Sequence, residues 1–380
     1  MQLRRSVRSS RKAVSSTSAV VVGGLLLTGC GLLGPSSGDD AKRPAASPAS
    51  VVELDCAERG QVAGAGSSAQ QNAMTYWMKE YQRACTGVQI AYNPLGSGAG
   101  VAQFLRGATA FGGSDSALTD EEVRLSGRTC AGGRAINLPM AGGPVALGFN
   151  LPGVDELVLD APTLAKLFDG RIDSWDDPRV AELNPGVDLP STPVHPVHRS
   201  DDSGTTENFQ SYLSDAAGAA WPYPVAKNWQ ARGGSSASGS KGVAQAVTTT
   251  TGAIGYLDLS VAVERHVDTV SVDTGADRPV APTPQSASKG IAQARTAGRG
   301  KDLSLDFDYG TSAEGAYPIV LVTYEIVCDR GNPRESLPAL KSFLTYTSSE
   351  EGQSALPRRH YAPLPKELAE DVRGVIRTLD

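Results

Sequence analysis

From Val197 to Tyr212 the chain contains His198-Arg199-Ser200-Asp201-Asp202-Ser203-Gly204-Thr205-Thr206-Glu207-Asn208-Phe209, one arginine followed by a hydroxyl-rich turn that opens into an amphipathic segment. Such a turn can aim backbone N–H groups, two or three hydroxyls and a guanidinium at one spot. Those are the donors a small tetrahedral oxyanion needs. Three earlier turns carry chemistry of the same kind, at Ser68, Ser97 and Asp115. Asp201, two residues after Arg199, is placed to pair with the guanidinium and hold its orientation.

These residues need elements that bring them together, and the pattern of the chain supplies them. Gln61-Val62-Ala63 reads as a strand, Gly64 to Ser68 as a turn, and Ala69 to Ala84 as a helix with Met74, Trp77, Met78 and Tyr81 at core-facing spacing. The unit repeats with Val88 to Tyr92 as strand, Leu95 to Gly100 as turn and Val101 to Gly107 as helix. Phe111-Gly112-Gly113-Ser114-Asp115 ends a third strand, before a helix near Thr119 to Leu125. Alternation of this kind predicts an α/β fold. Open α/β sheets bind ligands at the carboxyl ends of their strands, so the three turns should converge on one crevice.

A Pro/Gly-rich passage after Leu138 and a strand from Val145 to Phe149 mark a crossing into a second domain. Helices are expected at Ala161 to Phe168, Ser203 to Leu213 and Gly242 to Thr249, then a strand at Ile254-Gly255-Tyr256. The Gly/Ser-rich run Arg232 to Gly242 reads as a loop and helix start within that domain rather than as a linker. The apolar run Tyr317 to Cys328 is a long strand that returns the chain to the first domain, and Leu337 to Thr345 is helical.

The first thirty residues are expected to direct export. Arg4, Arg5, Arg8, Arg11 and Lys12 form a basic region, and Ala19 to Leu27 is apolar but too short to span a bilayer. Leu27-Thr28-Gly29-Cys30 looks like a bacterial lipobox, which would make 1–29 a signal peptide and Cys30 the lipidated residue. Residues 30–50 then form a flexible tether that attaches the domain to the membrane without spanning it. The seven basic and two acidic residues before position 51 carry a net +5 in a chain of net −6, so the remainder carries −11. Nucleic acid is therefore not an expected partner. An anionic ligand would be held by local donors rather than by a positive field.

Four cysteines other than Cys30 remain, and in an exported protein an even number points to two disulfides. Three pairings are open. Cys56–Cys85 with Cys130–Cys328 is preferred, because Cys56 and Cys85 each precede a strand, and neighbouring parallel strands bring their starts together. The cysteine spacings and the four scattered histidines lack a metal-site pattern, so neither a metal nor another cofactor is expected.

Gly64 to Ser68, Gly96-Ser97-Gly98, Phe111 to Asp115, Ile172 to Pro178 with Leu183 to Gly186, Arg199 to Thr205, and Gly252 to Tyr256 follow one another in an order that resembles the periplasmic phosphate-binding protein, the PstS-like component of phosphate ABC transporters. The resemblance covers residues 60 to 330. It implies a two-lobed periplasmic binding protein fold of type II-like form, with hinge strands and the ligand between the lobes. Lobe I would be 51–147 plus 318–380, and lobe II 148–317. It further implies phosphate bound by Ser68, the Ala69 N–H, Ser97 and Asp115 from lobe I, and by Arg199, Ser203, Gly204 and Thr205 from lobe II. Asp202 departs from the glycine common at its place. A membrane-embedded ABC permease would be the partner, and the extracytoplasmic face of the membrane the location.

Phosphate offers acceptor oxygens and at least one O–H, and among these residues only a carboxylate such as Asp115 accepts that proton. Fully deprotonated sulfate would meet the same group as a buried repulsion. Each residue has a plainer role available: an N-cap for Ser68, a tight turn for Ser97, a loop carboxylate for Asp115, a surface ion pair for Arg199 with Asp201. The rival functions are a binding protein for sulfate or molybdate, a phosphate scavenger without a transporter, and a secreted phosphate-ester hydrolase. The last would need metals or an activated nucleophile, and the sequence has neither a Gly-x-Ser-x-Gly elbow nor a phosphate-cradling Gly-x-x-x-x-Gly-Lys-Ser/Thr loop.

Overall fold

The computed structural model describes residues 54–380. The signal segment, Cys30 and the tether lie outside the described residues. Chain order begins with β1 (Gly60–Gly66), α1 (Gln71–Ala84), β2 (Val88–Asn93), α2 (Ser97–Leu105), β3 (Phe111–Ser114), α3 (Asp120–Ser126) and β4 (Ala135–Phe149). It continues through β5 (Val158–Asp160), α4 (Ala161–Phe168), α5 (Pro178–Leu183), β6 (His195–Arg199), α6 (Gly204–Ala216), β7 (Ser235–Ala237), α7 (Gly239–Thr249), β8 (Ala253–Asp258) and α8 (Leu259–Glu264). The remainder is β9 (Asp268–Thr269), β10 (Ser271–Asp273), α9 (Pro284–Ile291), β11 (Arg295–Thr296), β12 (Leu305–Asp306), β13 (Val320–Cys328), α10 (Leu337–Thr347), α11 (Glu350–Ser354) and α12 (Lys366–Arg377).

One nine-stranded sheet runs β2-β1-β3-β13-β4-β8-β6-β7, with β9 paired to β4. β1 is parallel to β2 and β3, and β6 is parallel to β7 and β8. Between these two parallel sets lie β13 and β4, antiparallel to each other and to their neighbours. The result is a two-lobed α/β fold: an N-terminal half around β1–β3 and a second half around β6–β8, joined through β4 and β13. Every residue of β4 and β13 is buried, as expected for strands covered on both faces.

Each half has its own core. Met74, Trp77 and Tyr81 of α1 pack with Val62, Phe111, Phe343 and Ile376 in the first. Phe168, Phe209, Tyr212, Tyr256 and Trp175 fill the second. The disulfides are Cys56–Cys85, before β1 and before β2, and Cys130–Cys328, before β4 and at the end of β13. The strand-start argument for the first pair is therefore met, since β1 and β2 are adjacent and parallel.

Three expected boundaries move. The helix expected from Val101 begins at Ser97, with Gly98 and Gly100 inside its first turns. A Cβ on Gly98 would stand 2.4 Å from the Asp202 Cβ, and one on Gly100 2.4 Å from the Gly66 Cα. Close approach, not turn formation, is thus what these glycines serve. The helix expected from Gly242 begins at Gly239, which holds a left-handed φ of +66° that favours glycine. The passage after Leu138 is no loop: β4 runs through Pro139 and Pro144, paired with Tyr324 and Val320, with its register shifted between Thr323 and Tyr324. A bulge there absorbs the irregularity that proline brings to a ladder.

Candidate functional site

The carboxyl ends of β1, β3 and β6 deliver Ser67, Asp115 and Arg199 to one place, and α1, α2, α6 and α7 start around it. The first N–H groups of each helix have no intrahelical carbonyl, and the helix dipole adds positive character there. Local capping accounts for part of this set. Ser203 Oγ accepts from Thr206 N–H at 3.3 Å as the N-cap of α6.

Asp115 is 2% exposed and is the centre of the polar contacts. Its carboxylate accepts from the Ser67 hydroxyl, from Thr205 Oγ1 at 3.1 Å and from Ser97 Oγ at 3.4 Å. Its N–H donates to Ser97 Oγ at 3.2 Å, and its carbonyl accepts from Asn208 Nδ2 at 2.8 Å. Burial pushes the carboxyl above its ordinary value, while the Ser67 hydrogen bond and the Arg199 charge pull it back.

Arg199 donates from Nε and Nη2 to Asp201 Oδ1 and Oδ2 at 2.8 and 2.5 Å, the fork geometry that fixes a guanidinium plane. Gly239 N–H donates to the same Asp201 oxygen at 3.0 Å. Burial alone would raise the Asp201 carboxyl, but its bonds to Arg199 hold it below the usual carboxylate range. The guanidinium is buried, and its Nη1 has no hydrogen-bond partner. A charged donor left this way is costly unless something accepts from it.

The expected residues therefore gather, with differences in detail. Ser97, Asp115, Arg199, Ser203, Gly204, Thr205 and Asp201 form one cluster. A Cβ on Gly204 would stand 2.7 Å from the Asp115 Cβ, so only glycine lets α6 approach this closely. Ser68 turns toward α7, where its Oγ accepts from Ser240 N–H at 3.1 Å. The Ala69 N–H donates to Ser67 Oγ at 3.0 Å, so here it is engaged within the protein. Asp202 keeps the turn in place through its carbonyl, which accepts from Gly98 N–H at 2.9 Å.

Ser67 and Ser240 were not singled out in the sequence. Ser67 stands beside Ser68 at a strand end, where a one-residue difference decides which hydroxyl meets Asp115. Behind the turn, Gln70 Nε2 donates to Tyr92 Oη at 2.8 Å, and Tyr92 Oη donates to the Ser67 carbonyl at 2.8 Å. Glu325 of β13 lies beside Gln70, 1% exposed, with neither carboxyl oxygen hydrogen-bonded. Burial raises its pKa well above the ordinary value. Among the described residues no cluster of three or more His, Cys, Asp or Glu is placed to hold a metal ion. No described helix is long and apolar enough to cross a membrane.

A sheet divided by two antiparallel strands, with polar groups of both halves facing one another at the strand ends, defines a solute-binding protein. Residues 52–351 accordingly match the model of the PBP superfamily domain. A phosphate-binding protein PstS 3 of Mycobacterium leprae is 41% identical over 345 residues, covering 90% of this chain and 92% of that protein. Among solved structures, a high-affinity periplasmic phosphate-binding protein (PfluDING) bound with phosphate aligns with a TM-score of 0.69 at 22% identity, over 83% of this chain and 93% of the other. A putative phosphate ABC transporter substrate-binding protein with bound phosphate from Clostridium perfringens aligns with a TM-score of 0.59 at 20% identity, over 80% and 100%. The two structures share the fold, and the sequence relation goes further: the chain belongs to the PstS family of phosphate-binding proteins.

Proposed function

We propose that this protein captures inorganic phosphate outside the cytoplasm and delivers it to an ABC transporter permease. The observation that carries the reading is the pairing of two buried groups: the Arg199 Nη1 donor without a partner and the hydroxyl-ringed Asp115 carboxylate. Phosphate answers both, accepting from the guanidinium and giving its proton to the carboxylate. Ser203 and the N–H groups of Gly204 and Thr205 supply further donors, and Ser68, Ala69, Ser97 and Thr205 complete the set after local rearrangement. Asp201 holds Arg199 in plane. The lobes are taken as 51–147 with 318–380, and 148–317.

The reading includes no catalytic step. The hydroxyls around Asp115 are read as fixing its carboxylate in place. Cys30 is proposed as the lipidated residue that keeps the protein on the outer face of the membrane. Calorimetric titration with phosphate and with sulfate tests the central claim, and tight binding of phosphate alone is the expected result. Equal binding of sulfate would favour the general oxyanion reading, and release of phosphate from a chromogenic ester would favour a hydrolase.

A further inference from the structure

Asp258 ends β8 and caps α8, accepting from Val261 N–H at 3.1 Å, and is 3% exposed. Its Oδ1 also accepts the Ser260 hydroxyl at 2.5 Å. Ser260 Oγ in turn accepts from Asn72 Nδ2 at 3.1 Å and lies 2.9 Å from Tyr361 Oη. Tyr361 Oη donates to the Ala69 carbonyl at 2.6 Å. By this route an acid of the second half of the sheet is tied to the first turn of α1 in the other.

A second route reaches the same turn. Ser240, at the start of α7, donates its N–H to Ser68 Oγ at 3.1 Å, and its hydroxyl lies 3.4 Å from that atom. Asp258 Oδ2 is buried without a hydrogen-bond partner. Among the described residues the charged group acting on Asp258 is Asp115, of like sign, and Tyr361 is its titratable neighbour. Lys241 and Arg265 pair instead with Glu264 on the exposed side. Burial pushes the Asp258 carboxyl up to about 6, against the Ser260 and Val261 hydrogen bonds.

An anion placed beyond Ser68 adds negative charge on the far side of Ser240 from a carboxylate that has no cation. That charge disfavours ionised Asp258 in the liganded state. Resting on the phosphate reading, we propose that Asp258 is a positioning residue that acts through Ser260 and Tyr361 on the Ser68–Ala69 turn and takes up a proton from solvent when phosphate binds.

The test is calorimetric titration of the full chain with inorganic phosphate near pH 6, in two buffers of different ionisation enthalpy, for wild type and Asp258→Asn. Protonation of phosphate itself is common to both proteins, so the difference isolates Asp258. Wild type should take up more protons, by as much as about one per phosphate, with an affinity that falls up to about tenfold per pH unit more steeply than the variant's. Equal proton counts would overturn the proposal. Should Asp258→Asn fail to fold, Ser260→Ala serves: losing the 2.5 Å hydrogen bond that favours the carboxylate should move the proton-uptake window to higher pH, and an unmoved window would also overturn it. A wild type that binds no phosphate would instead remove the function on which it rests.

Discussion

Thr205 Oγ1 donates a 3.1 Å hydrogen bond to Asp115 Oδ2, joining the first turn of α6 to the end of β3 across 90 residues of sequence. Ser67 reaches the same carboxylate from the β1 end, so donors from both halves of the sheet meet on one acid. If Asp115 accepts the proton of phosphate, Asp115→Asn keeps the shape of the cleft but substitutes an amide that also donates. The ratio of phosphate to sulfate affinity should then fall, whatever happens to phosphate affinity itself. Competition titrations at one pH read that ratio, and an unchanged value would place proton recognition elsewhere.

Arg199→Ala removes a charge-assisted donor from a buried site and leaves Asp201 without its partner. Truncating one member of a buried charged pair costs roughly 2–5 kcal/mol, so phosphate binding should weaken by well over tenfold. Arg199→Lys should rescue little, because a point charge cannot bond Asp201 through two nitrogens and still present a third. Titration of the three proteins decides it, and equal affinity in wild type and the alanine variant would take Arg199 out of the site.

Glu325 makes stability depend on pH in a direction opposite to that of most carboxylates. Its pKa is raised in the folded chain above the ordinary 4.5, so the folded protein keeps a proton that the unfolded chain releases. The associated stability is fully present below pH 4.5 and is lost as pH rises toward the folded value. Glu325→Gln does not titrate and should therefore gain in melting temperature over wild type between pH 4 and pH 8. A difference in melting temperature that is the same at both ends would show that Glu325 titrates normally.

The reading of Cys30 makes a separate expectation, because Cys30 lies far upstream in sequence of the candidate site residues. Cys30→Ala should release the protein from the membrane fraction while leaving phosphate affinity intact. Retention of the variant in the membrane pellet would count against a lipid anchor.

Much of this site was legible because loop chemistry is local. Asp115 and the Arg199–Thr205 turn are read from residue types alone, and the α/β alternation states that their turns share one side of a sheet. Ser67 and Ser240 were not legible, since which of two adjacent serines meets Asp115, and which helix start meets Ser68, is decided by contacts across the sheet. Glu325 was hidden for a related reason: inside the apolar run of β13 it looks like an interruption, and only the fold places Gln70 beside it. Gly98 and Gly100 misled in the opposite direction. Local propensity assigns them to a turn, whereas close packing against Asp202 and Gly66 puts them inside α2.

Cys130 and Cys328 lie at one and the same end of the two strands that join the halves of the molecule: Cys328 pairs in register with Ala135, the first residue of β4, and its sulfur is bonded just upstream of that strand. The two crossing strands are thus stapled like the leaves of a spring clamped at the root. Shear between them is blocked at the clamp, and any swing of one half against the other has to be absorbed further along, past the register shift at Thr323 and Tyr324. The bond fixes the two strands at that end, and the register shift lies between it and the second half of the sheet.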